Sequence, residues 1–109
     1  MIVWYKDLYY KNHAGYEIEK WKEKVQKGKK FLPYFCICLS SNPSNLLDIM
    51  SVNELSFPYY KKRENRIIGL AANRSEAVEL VAEIVEDVYT KTGDFNIRDF
   101  IKHRFIEPQ

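Results

Sequence analysis

The chain is short of the residues that small proteins use for cross-links, metal sites and phosphate loops. It holds two cysteines, Cys36 and Cys38, two histidines, His13 and His103, and four glycines among 109 residues. Cys36 and Cys38 stand one residue apart in the run YFCICL, where strand alternation sends both side chains to one face. Two thiols so placed lie at the upper limit of disulfide geometry, and no further Cys or His pair stands at ligand spacing. The expectation is two buried reduced thiols in a cytoplasmic protein, with no metal. Gly15, Gly28, Gly69 and Gly93 form neither G-x-x-x-x-G-K nor G-x-G-x-x-G, so no nucleotide cofactor of either standard kind is expected, and none is assigned. An acid, an imidazole and a hydroxyl exist in Asp7, His13 and Ser41. Without a G-x-S-x-G elbow they give no catalytic assignment, and the chain reads more readily as a non-enzyme.

Three further absences narrow the class. No apolar run approaches the roughly 18 residues of a membrane span, and no secretory leader is visible, so a membrane is not expected as partner. Only four prolines join the four glycines as breakers, which leaves no linker or low-complexity tract. The formal net charge is +2, too small by itself to indicate nucleic acid.

What the chain does have is apolar and aromatic mass, 46% hydrophobic and 15% aromatic, enough for one packed core over residues 1–109 and too short for two domains. Ile2 to Lys6 carries bulky residues on both faces, as a strand covered on two sides does. Ala14, Ile18, Trp21 and Val25 recur at helical spacing up to Gly28, which can terminate the helix. Leu32 to Leu39 is almost wholly apolar and reads as a central strand. Asn42 and Pro43 read as the cap and first residue of a short helix with Leu46, Leu47, Ile49, Met50 and Leu55 on its apolar side. Phe57 to Tyr60 reads as a short edge strand, and Arg66 to Ala71 as a clear one. Arg74 to Thr92 is the longest predicted helix, with a stripe from Ala77 to Val88, Asn73 and Glu76 at its start and Gly93 at its end. Ile97 to Phe105 reads as a last short helix. This alternation predicts an α/β class: a small single-domain sandwich with a three- or four-stranded, mostly parallel sheet, a mixed sheet being the variant, covered by about three helices.

In a parallel arrangement the strand ends would gather the loops Asp7 to His13, Ser40 to Asn42 and Asn73 to Ser75, where open α/β sheets bind ligands. Two of these loops would open helices. Ser41, Asn42, Arg74 and Ser75 then form a candidate anion-binding site, although capping alone selects the same residue types. Charge is unevenly spread: residues 1–30 hold eight Lys against four acids, and residues 75–93 hold five acids against one Lys. Lys24 and Lys27 in the first basic stretch, with Lys61, Lys62 and Arg63 beside Tyr59 and Tyr60, outline a nucleic-acid surface, against the plainer reading of solvated lysines. Glu76, Glu79, Glu83 and Glu86 fall on one exposed side of the long helix. Tyr9, Tyr10, Tyr59 and Tyr60 sit in predicted loop or edge positions and suit a protein interface.

The leading expectation is a small cytoplasmic protein-interaction or self-associating module, its partner another protein or a second copy. The alternatives are nucleic-acid binding through Lys20–Lys30 and Tyr59–Arg66, and an anion or nucleotide pocket near Ser41 and Arg74.

Overall fold

The computed structural model describes residues 1–40, 46–102 and 104–106. Five strands, β1 (Ile2–Tyr9), β2 (Phe35–Leu39), β3 (Leu47–Ser51), β4 (Asn65–Ala71) and β5 (Phe105–Ile106), form one mixed sheet in the order β3-β2-β4-β1-β5. Four α-helices accompany them among the described residues: α1 (Ile18–Gln26), α2 (Pro58–Lys61), α3 (Arg74–Thr92) and α4 (Ile97–Ile101). The α/β class stands, but the expected mostly parallel sheet of three or four strands does not. β1 and β4 pair in parallel, whereas β2 runs antiparallel to both β3 and β4, and β5 runs antiparallel to β1.

Two segments account for the difference. Residues 47–51, expected in a helix, pair residue for residue with β2 from Leu39↔Leu47 to Phe35↔Ser51. Leu47 and Ile49 pack toward one face and Met50 toward the other, so an apolar set that fits a helical stripe fits a two-faced strand equally well. The capping residues Asn42 and Pro43 lie outside the described residues. Phe57 to Tyr60, expected as an edge strand, instead enters α2, with Pro58 at the first helical position, where no N–H is needed.

The other elements follow their sequence signals. Asn73 caps α3 by accepting the Glu76 N–H at 2.9 Å, and Gly93 ends it with φ 81°. The final helix is shorter than expected: it stops at Ile101, and Phe105 joins β5.

The sheet separates two cores. On one side α1 lays Ile18, Trp21 and Val25 against Cys36, Cys38, Ile67 and Leu70; on the other, α3 and α4 lay Leu80, Ile84, Val88, Ile97 and Ile101 against Val3, Tyr5, Ile37 and Ile68. Burial on both faces explains the continuous apolar runs of β2 and β4. β4 carries a bulge: β2 passes from Ile37↔Gly69 to Cys38↔Ile67 and leaves Ile68 as the extra residue.

Candidate binding cleft

The C-terminal ends of β1 and β4 converge, and there Lys11 and His13, from the loop after β1, meet carboxylates of α3. Glu76 turns back over the start of α3: one carboxylate oxygen accepts the Ala72 N–H at 3.0 Å and the other lies 2.6 Å from His13 Nε2. Lys11 Nζ sits 3.0 Å from Glu83 and 3.5 Å from Glu79. Three of the four carboxylates on that side of α3 are therefore paired within the chain. Arg74 and Ser75 are exposed beside this network. Ser41 and Asn42 lie outside the described residues, and Ser40, their neighbour, belongs to the far end of the sheet, because β2 runs against β4. The described residues thus bring together the first and third predicted loops but not the second.

The tyrosines fall at the two ends as well. Tyr9 is half-buried, stacked on Tyr5, and its hydroxyl donates to Asp87 at 2.6 Å; Tyr10 is exposed. Tyr59 and Tyr60 meet edge to face in α2, and the Arg63 guanidinium covers Tyr59 and donates to its hydroxyl. Tyr60 is tied to the starts of β1 and β4 through Asn65 Nδ2, which donates to the Tyr60 carbonyl at 2.8 Å while the Asn65 N–H donates to the Met1 carbonyl.

A further concavity lies on the α1 side of the sheet, away from the loops that follow β1 and β4. It is a cleft of about 790 Å³ between the end of α1, the 3-10 turn Val52–Ser56 and the start of β1. Its apolar wall includes Ile2, Val25, Leu32, Val52 and Leu55. Lys27, Lys29, Lys30 and Lys61 also line it, and among the described residues no Asp or Glu does. The two basic stretches of the sequence, more than thirty positions apart, therefore share one cleft through Lys27 and Lys61. Lys24, Lys62 and Arg63 are not part of its lining.

Local chemistry explains how these lysines come to be presented. Gly28, with φ 71°, closes α1 in a Schellman turn: its N–H donates to the Val25 carbonyl and the Lys29 N–H to the Lys24 carbonyl. Lysines just past a helix C-terminus are favoured by the helix dipole. Lys27 is paired with Glu23 at 2.6 Å, and that contact holds the Glu23 carboxyl below its ordinary value. Lys29, Lys30 and Lys61 form no ion pair with a described carboxylate, and all three are exposed. Two exposed phenylalanines, Phe31 at 94% and Phe57 at 52%, stand in the same lining. Neither ring is signalled locally: Phe31 adjoins the apolar run Leu32 to Leu39, and Phe57 heads a stretch whose composition suits an edge strand.

Among the described residues no group of three or more His, Cys, Asp or Glu is placed to hold a metal, and no helix is long and apolar enough to cross a membrane. Cys36 and Cys38 are free thiols, buried on one face of β2 with their sulfurs 3.7 Å apart. No protein-family model matches this chain, and no curated protein or solved structure matches it either.

Proposed function

We propose that this chain is a protein-interaction module that works through the α1-side cleft and takes an acidic segment of another protein. The observation that carries the reading is the lining itself: four lysines, no carboxylate among the described residues and an apolar wall, with two exposed phenylalanines. A single exposed ion pair is worth about 0 to 1 kcal/mol, so isolated lysines would mean little. Several like charges around one concave apolar surface raise the local potential and steer an anionic partner toward it. Aliphatic walls reward aliphatic or aromatic side chains, which an acidic amphipathic segment supplies. The buried free thiols Cys36 and Cys38 support a working place in the reducing cytoplasm. The test is fluorescence anisotropy with a labelled short peptide of alternating Glu and Leu residues. Wild type should bind in the micromolar range and weaken with salt, and the variant Lys29→Gln, Lys30→Gln, Lys61→Gln should lose most of that affinity. Equal affinity in the triple variant would refute the reading.

One observation favours nucleic acid as a second reading. Tyr59 is 64% exposed and stands in α2 beside Lys61 and Lys62, a ring and cations of the kind that hold single strands. Labelled oligothymidylate should then bind with an affinity that falls steeply between about 50 and 200 mM salt.

A further inference from the structure

Phe31 combines two unfavourable features. Its φ of 62° lies in the left-handed region, which it shares among the described residues only with Gly28 and Gly93, and its side chain is 94% exposed. Left-handed backbone crowds the Cβ of an ordinary residue, and a phenyl ring in water gains nothing from the fold. Such a conformation persists only where neighbouring structure enforces it.

That enforcement is visible on both sides. Before Phe31, the Schellman turn at Gly28 fixes the exit of α1. After it, Asn53 grips the backbone of Leu32 twice, its Oδ1 accepting the Leu32 N–H at 2.9 Å and its Nδ2 donating to the Leu32 carbonyl at 2.8 Å. Asn53 is itself held, because its N–H and Nδ2 both donate to Ser51 Oγ, and Ser51 heads a capping box with Glu54. The chain between these two clamps is short, and the ring is turned outward at the cleft, directly after Lys29 and Lys30.

We propose that Phe31 is the anchor by which the cleft grips its acidic partner: the ring packs against a bulky apolar side chain of that segment, while Lys29 and Lys30 meet its carboxylates. Asn53 is the positioning residue that holds the ring ready. This assignment rests on reading the cleft as a binding surface, and it goes further by naming a preformed aromatic contact and the composition it selects. Aromatic side chains that fill a pocket of the partner and exclude water are frequent high-value contacts of interfaces, and a backbone already fixed beneath one lowers the cost of ordering it. The alternation of apolar wall and cations favours an acidic peptide with large apolar residues over a polynucleotide, whose phosphates would find the lysines but leave the aliphatic wall uncovered.

The experiment uses the full chain and two labelled short peptides, one alternating Glu with Leu and Trp, the other of equal charge with Ser at every Leu and Trp. Phe31→Gly removes the ring and relieves the left-handed strain, so it should raise the melting temperature and weaken binding of the apolar acidic peptide about tenfold or more. Affinity for the Ser peptide should stay weak and unchanged, and Phe31→Trp should retain the wild-type preference. Asn53→Ala should weaken the apolar acidic peptide with Phe31 present and have no further effect in the Phe31→Gly background, a dependence that general destabilisation would not produce. A Phe31→Gly protein that is stabilised yet binds as wild type overturns the anchor while leaving the cleft reading intact, provided the triple lysine variant still loses affinity. Absence of binding of the apolar acidic peptide to wild type, with oligothymidylate binding instead, overturns both.

Discussion

The Tyr9 hydroxyl donates to a carboxylate oxygen of Asp87 at 2.6 Å, fastening the end of β1 to α3 across 78 positions of sequence. The contact lowers the Asp87 pKa below its ordinary 3.8, chiefly through this hydrogen bond, and burial together with the bond pushes the Tyr9 hydroxyl well above 10. Both shifts are stability statements. The Asp87 contribution is present above its ordinary pKa and is lost as pH falls through the depressed folded value. The Tyr9 contribution is present below 10 and is lost as pH rises above it. Tyr9→Phe should cost about 1 kcal/mol at neutral pH, since Lys91, 3.1 Å from Asp87, still serves that carboxylate. Melting curves from pH 2 to 11 should show shallower losses at both extremes in the variant; parallel curves would deny the coupling.

Gly69 tests the bulge. A Cβ there would meet Ile37 Cδ1, Leu80 Cδ2 and the Tyr9 carbonyl oxygen, each at 3.3 Å, so two side chains and a backbone atom must yield together. Gly69→Ala should destabilise by about 1 to 3 kcal/mol, the ordinary cost of overpacking. Chemical denaturation is the measurement, and an unchanged midpoint would mean that β1 and β4 do not approach as closely as described.

Amide exchange distinguishes strand from helix at residues 47–51. The Ser40 N–H donates to the Leu46 carbonyl and the Val52 N–H to the Tyr34 carbonyl, so alternation points the Asp48 and Met50 N–H groups at β2 and those of Leu47 and Ile49 outward. Asp48 and Met50 should exchange slowly, Leu47 and Ile49 quickly. Uniform protection of four consecutive amides would indicate a helix.

The cysteines should be inert while the chain is folded. The Cys38 thiol donates toward Cys36, and that contact and burial push the Cys36 pKa well up. Modification by a thiol reagent should track global unfolding and accelerate with denaturant. Rapid labelling in native buffer would show that the α1-side core opens locally.

Most helices and strands were legible because their signals are local. Asn73, Glu76, Gly93 and the stripe between them specify α3 without help from the rest of the chain, and Gly28 ends α1 in the same way. β3 was not legible, since Leu46, Leu47, Ile49 and Met50 satisfy both periods and pairing with β2 decides between them. The direction of β2 is likewise set by its neighbours, and it places Ser40 at the end of the sheet away from Arg74. The cleft was half legible: the lysine run is plain in the sequence, but Lys61 joins it only through the fold. The outward ring of Phe31 depends on Asn53, twenty-two positions away, and no local pattern announces it.

The most direct test of the cleft is to titrate the isotopically labelled protein with the acidic Glu–Leu peptide and follow backbone amide shifts by NMR. The account expects the largest changes at Lys27 to Leu32, at Asn53 to Phe57 and at Lys61, with the opposite end of the sheet around His13 and Arg74 silent. Changes centred on His13, Lys11 and Arg74, or none at saturating peptide, would contradict it.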